Sequence, residues 1–250
     1  MHRVHLFIPC YIDQLFPQVG IATVNILESL GCEVIYPEEQ TCCGQPAFNS
    51  GYFEETVPLA DHFLNTFRSA EFIVAPSGSC ISMTRNLYGM LNLPDNLKEL
   101  WQSLRPKMFE LSQFLVHVLG LENWEGFFPH RVTYHDSCHL LRELGVRDEP
   151  RRLLRGIAGI EFREMFRSDT CCGFGGTFSV KMEPISIAMM ENKAQWIQES
   201  GAEYVVAGDA SCLMHMEGYL KKHRIPVRTM HLAELLWQAR ENNRETDRGR

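Results

Sequence analysis

Two stretches set cysteines side by side, "QTCCGQPAFNSG" from Gln40 and "DTCCGFGGTFS" from Asp169. Thiolates bind soft metals and act as redox nucleophiles. Direct neighbours make poor disulfide partners, because a bridge strains the peptide between them. The remaining cysteines stand in register with these pairs. Cys10 precedes Cys42 by 32 positions and Cys138 precedes Cys171 by 33. Cys80 follows Cys43 by 37, and Cys212 follows Cys172 by 40. Glycine follows each pair, as Gly44 and Gly173. Eight of the nine cysteines thus form two matching sets: Cys10, Cys42, Cys43 and Cys80, then Cys138, Cys171, Cys172 and Cys212. Cys32 has no counterpart; it follows Gly31 at a predicted helix end and reads as a packing residue.

The elements that must position these thiols repeat too. "RSAEFIVAPSGSCISM" in the first half matches "SGAEYVVAGDASCLMH" in the second, and "PKMFELSQFL" mirrors "PVRTMHLAEL" 120 positions on. In the first half, "RVHLFI" reads as a strand ending at Cys10, and "QVGIATVNILESLG" as a helix stopped by Gly31. A strand at "EVIY", a helix over 53–69 and a strand at "EFIVA" follow, with Cys80 in the next turn. The second half repeats the order: "RVTYH" before Cys138, a helix near 149–157, "IEFRE", the pair, a helix near 184–200, and "EYVVA" before Cys212. Alternating strands and helices predict an α/β fold of two tandem pseudo-repeated domains, 1–122 and 128–250, with mainly parallel sheets. In such sheets ligands bind beyond the carboxyl ends of the strands, so each set is expected to converge at one sheet edge.

Four converging thiolates suit zinc or an iron–sulfur cluster. Structural zinc favours compact knuckles, whereas these ligands spread over about 70 residues and include adjacent cysteines pointing different ways, which suits several metal atoms better. Glycine after each pair lets backbone N–H groups approach cluster sulfur. "GFGG" at Gly173–Gly176 lacks the spacing of a phosphate-binding loop.

The doubled arrangement of Cys10, Cys42-Cys43-Gly44 and Cys80 with Cys138, Cys171-Cys172-Gly173 and Cys212 is similar to the cysteine-rich CCG domain. That domain occurs in heterodisulfide reductase and in iron–sulfur subunits of glycolate and glycerol-3-phosphate oxidoreductases. With "CCGQPAFNSG" and "CCGFGGTFSVK", the chain resembles the lactate utilization protein A family over nearly its whole length. The resemblance implies an iron–sulfur electron-transfer component of a multi-subunit system oxidising L-lactate to pyruvate. It further implies a ferredoxin-like partner and a third subunit, and an oxidoreductase subunit rather than a complete enzyme. The eight paired-set cysteines would be the cofactor and metal ligands, holding a 4Fe-4S cluster in each half, with zinc in one half as the alternative. The family's fuller motif ends in C-x-x-C, where this chain has Met83 and His215. Met83 reads as core; His215 is a candidate replacement ligand, set against a structural histidine.

His135 and His139 flank Cys138, and His231 lies near the last helix. His139 with Arg142 would meet what hydroxy-acid oxidation requires, a base and a carboxylate clamp; the competing reading makes both supporting or surface residues. No residue identifies itself as catalytic. The alternatives are an iron–sulfur subunit for glycolate or another 2-hydroxy acid, a thiol–disulfide redox protein, and a zinc-binding scaffold. A hydrophobic fraction of 45% and a charged fraction of 22% describe an ordinary globular chain. A formal charge of −7 argues against nucleic-acid binding. No stretch approaches the roughly 18 apolar residues of a membrane helix, so the chain reads as cytoplasmic, where thiols favour metal or redox work over structural disulfides.

Overall fold

The run "RVHL" buries three of its four residues as strand β1 (Arg3–Leu6), which delivers Cys10 to the first turn of α1 (Cys10–Leu15). Pro17 opens α2 (Pro17–Ser29), where its missing N–H has no partner to lose, and Gly31 at φ +79° stops that helix. β2 (Glu33–Ile35) leads through the first cysteine pair to α3 (Gln45–Asn49) and α4 (Phe53–Thr66). Then come β3 (Phe72–Ala75), α5 (Gly78–Arg85) bearing Cys80, α6 (Asp95–Leu104), β4 (Met108–Glu110) and α7 (Leu111–Gln113). The second half runs β5 (Arg131–Tyr134), α8 (Cys138–Arg142), α9 (Asp148–Arg155) and β6 (Glu161–Phe162). It continues with α10 (Phe178–Lys181), α11 (Glu183–Glu199), β7 (Tyr204–Ala207), α12 (Ala210–Lys222), β8 (Arg228–His231) and α13 (Leu232–Arg248). These elements come from a computed structural model that describes residues 1–248.

The strands form two sheets of identical order, β2-β1-β3-β4 and β6-β5-β7-β8, and every pairing is parallel. The expected α/β fold with two pseudo-repeated units is therefore present. In each sheet the chain winds one way from the first strand and the other way from the third. That places a crevice beyond the carboxyl ends of β1 and β3, and of β5 and β7. The register corrects the pairing of the two halves expected from their text. Ala75 pairs with Glu110 and Ala207 with His231, so Glu110 and His231 are equivalent, 121 positions apart rather than 120.

Alternation along the strands assigns each sheet two cores. Val4, Leu6 and Val74 join Val132, Tyr134 and Val206 in one central cluster, together with side chains of α2, α9 and α13. The opposite faces pack outward: Phe7, Ile73 and Ala75 under one set of helices, Val205 and Ala207 under another. The halves thus bury one shared core. α13 returns to α2 to close it, and Trp124 Nε1 donates to the Leu236 carbonyl at 2.8 Å. Among the described residues, no helix is long and apolar enough to cross a membrane.

Candidate metal centre

The two crevices open into one cavity of about 270 Å³, and all eight paired-set cysteines line it. Cys10 and Cys138 each open a short helix just past a first strand, and Cys80 and Cys212 each lie in the helix after a third strand. The adjacent pairs sit between them. Within each set the thiols form a row: Cys10 beside Cys42, Cys42 beside Cys43, Cys43 beside Cys80. The second row runs Cys138, Cys171, Cys172, Cys212 in the same way. In each pair the first thiol is half-buried and the second is buried, and both line the cavity. All nine cysteines are free thiols.

In each row the thiol in second place is held down, and in the second row Cys212 is held down too, by Cys172, His135 and Ser137. Hydrogen bonding by Cys10, then by Cys43, brings Cys42 down to about 3, and Gly44 N–H donates to its sulfur at 3.4 Å. Cys138 and Cys172 likewise bring Cys171 down to about 2, with Gly173 N–H at 3.4 Å. Cys10 and Cys138 are pushed up by the same interactions, and Cys43 and Cys172 by their row neighbours and by burial. A ready thiolate in a row of four close thiols, with a backbone donor on it, is a donor set that fits a thiolate-bound metal or iron–sulfur group. The glycines are required by shape. Gly44 lies at φ +84° and Gly173 at φ +90°, and a Cβ on them would stand 2.9 Å from Thr56 Cγ2 and 2.7 Å from the Ser186 carbonyl oxygen.

The halves are tied across the cavity by Asp209, which precedes α12. Its carboxylate accepts from Ser79 N–H at 2.8 Å, Ser79 Oγ at 2.9 Å and Ser77 Oγ at 3.3 Å, all at the start of α5. Burial raises Asp209 to about 7, with the Cys212 charge adding to it.

The two rows have different surroundings. Beside the first, Phe7 packs edge-on against Phe63 at 5.0 Å in an apolar cluster. The strand registers place His135 where the first half has Phe7. The buried face of α4, Thr56, Ala60, Phe63 and Leu64, matches Ser186, Met190, Lys193 and Ala194 on α11, so Lys193 stands where the first half has Phe63. Lys193 is fully buried, and Nζ donates to the carbonyls of Arg167 (2.9 Å) and Ser168 (3.2 Å). Burial lowers it to about 8, against the pull of Cys172, Asp136, Asp169 and Cys212. Asp136 replaces the apolar Ile8 and is held bidentately by buried Arg151 at 2.7 Å, while Ser168 Oγ donates to it at 2.8 Å. This network fixes the loop that carries Cys171 and Cys172.

The other residues singled out on sequence fall variously. His139 lines the cavity, 3.7 Å from the Cys138 sulfur, but Arg142 is exposed and donates to the Asp169 carbonyl, so the two do not form a pair in the cavity. His215 Nε2 lies 3.4 Å from Ser186 Oγ, its ring is tilted against Phe174, and burial lowers it. Met83 and Cys32 are buried in cores. His231 is buried near Gly208 and Pro76, accepts from Ala233 N–H and does not line the cavity. Asp209 and Lys193 carried no distinguishing signal alone; aligning the halves residue by residue would have set them against Ser77 and Phe63.

The cysteine-rich domain family CCG matches residues 4–85 and 132–217, each match spanning one thiol row, so fold and site define a tandem CCG-domain protein. A lactate utilization protein A from Exiguobacterium sp. is 47% identical over 238 residues, covering 94% of this chain and 97% of that one. Another from Halalkalibacterium halodurans is 45% identical over 234 residues, covering 94% and 96%. The chain belongs to the lactate utilization protein A family. Among solved structures, a hypothetical protein from Helicobacter pylori superposes with a TM-score of 0.64 at 11% identity over 99% of this chain. The chain spans about half (51%) of that protein, and the likeness bears on the fold alone.

Proposed function

We propose that this chain is the iron–sulfur electron-transfer component of a multi-protein system that oxidises L-lactate to pyruvate. The observation that carries the reading is the pair of four-thiol rows lining one cavity, in a chain so similar to lactate utilization proteins A. Cys10, Cys42, Cys43 and Cys80 would hold one 4Fe-4S cluster, and Cys138, Cys171, Cys172 and Cys212 the other. Such a cluster supplies one-electron transfer when bound. The thiolates anchor it, Gly44 and Gly173 donate to ligand sulfur, and the buried walls limit water. The substrate hydroxy acid belongs to the assembled system. Its other members would be a ferredoxin-like iron–sulfur protein and a third subunit, and the setting is cytoplasmic. The segment after the second pair leaves Val180, Met182, Ile185 and Ile187 exposed, which suits a docking partner.

Anaerobic purification with iron, sulfide and zinc analysis and an electronic spectrum tests the reading. The expected result is iron with matching sulfide and a broad visible band that bleaches on reduction. Zinc alone would point to a scaffold, and metal-free protein with redox-active thiols to a thiol–disulfide protein. Cys171→Ala is expected to empty the second site and leave the first loaded. Deleting the chain is expected to abolish growth on lactate; loss of growth on glycolate instead would move the substrate to that acid.

A further inference from the structure

The second thiol row has a buried imidazole beside it that the first row lacks. His135 is fully buried, neither ring nitrogen makes a hydrogen bond of good geometry, and the ring stands against the Cys212 thiol, which it holds down. A ring nitrogen and the sulfurs of Cys172 and Cys212 all lie within 4.8 Å of one another. A buried polar atom without a well-made hydrogen bond carries the cost of its lost water, so a buried imidazole facing only thiols needs a reason. Filling space is not that reason, because Phe7 fills the equivalent place in the first half and packs on Phe63. Imidazole nitrogen and thiolate sulfur are common partners on one metal atom, with bonds of about 2.0–2.1 and 2.3 Å to zinc. Both fit within the spacing of these three groups. His215, the histidine in the family's last cysteine position, stands outside the group and is engaged with Ser186 and Phe174.

We infer that His135 is a metal ligand of the second site, binding alongside Cys172 and Cys212, so that this site has five protein ligands and the first has four. The inference rests on the iron–sulfur reading above for the identity of the metal, an iron of the cluster. It makes the two sites chemically unequal: one is held by thiolates alone, and the other adds a neutral nitrogen donor to its four thiolates.

The test is pulsed electron paramagnetic resonance on the full chain, reconstituted anaerobically with iron and sulfide, reduced, and labelled with 15N at histidine. A strong nitrogen coupling that changes with the label, persists in His215→Ala and vanishes in His135→Phe is expected. The phenylalanine variant copies the first half's own packing, and the labelled wild-type spectrum requires no variant at all. Iron in the chain with coordination by sulfur alone overturns the ligand and leaves the iron–sulfur reading standing. Failure to take up iron overturns the cluster reading instead. The ligand is then read on the zinc-loaded chain by X-ray absorption, where a nitrogen shell lost in His135→Phe supports it and a sulfur-only shell overturns it.

Discussion

Gly173 illustrates how a residue with no side chain sets the chemistry of its neighbours. Its φ of +90° turns the chain so that its own N–H reaches the Cys171 sulfur, and the Ser186 carbonyl occupies the space a Cβ would need. Gly31 also has positive φ, but nothing lies within 4 Å of its missing Cβ. Gly31→Ala is therefore expected to cost about 1–2 kcal/mol from backbone strain alone, whereas Gly173→Ala costs more and weakens metal retention in the second row. Urea unfolding and iron content measure both. Glu110 gives a pH dependence. Burial raises its carboxyl from 4.5 to about 7, against donated hydrogen bonds from Ser112 and Gln113. A carboxyl more easily protonated in the fold than in the open chain contributes stability that is full below about 4.5 and lost as pH rises through about 7. Glu110→Gln is expected to lose less stability across that window than the parent, as read by urea midpoints at successive pH values. Equal slopes would show that Glu110 does not titrate there.

Among the elements, α4 and α11 occupy the same place in their halves and bury the same positions, at one of which α4 carries Phe63 and α11 carries Lys193. A fixed ammonium near thiolate ligands favours the state with the extra electron, and a low-dielectric interior strengthens that preference. Lys193→Met is therefore expected to lower the midpoint potential of the second site and leave the first unchanged, in a redox titration followed by electron paramagnetic resonance. A shift of both sites together would place the cause in the fold instead. The loop between β6 and α10, which carries Cys171 and Cys172, is held by Asp136, Arg151, Ser168 and Lys193, so much of the polarity around the second row is structural support. In the first half Gln40 does similar work. It accepts from Ile8 N–H at 2.7 Å and donates to the carbonyls of Leu6 and Pro37.

Across the molecule, the central core takes side chains from both sheets, and α13 brings the end of the described chain back onto α2. Leu236, fully buried there, is expected to cost about 2–5 kcal/mol when cut to Ala, and the metal-free chain to unfold in one transition. Two separated transitions in calorimetry would mean that the halves fold independently. Much of this was legible in the sequence. Ligand thiols admit few substitutes, so the two cysteine sets stand out in the text, and the strand–helix alternation between them implies parallel sheets with the cysteines at strand ends. The duplication, the α/β class and the membership of each thiol row could all be read before any fold was known. Folding in three dimensions added that both rows face one cavity and that Asp209 ties the halves there. It also added that His135 and Lys193 lie buried where Phe7 and Phe63 lie in the other half. The first two facts depend on how two similar units are turned against each other, and the third on packing within the second half, which no local pattern encodes. A one-residue change of register redirects a side chain, and a histidine or lysine reads the same in sequence whether water or a thiolate row surrounds it.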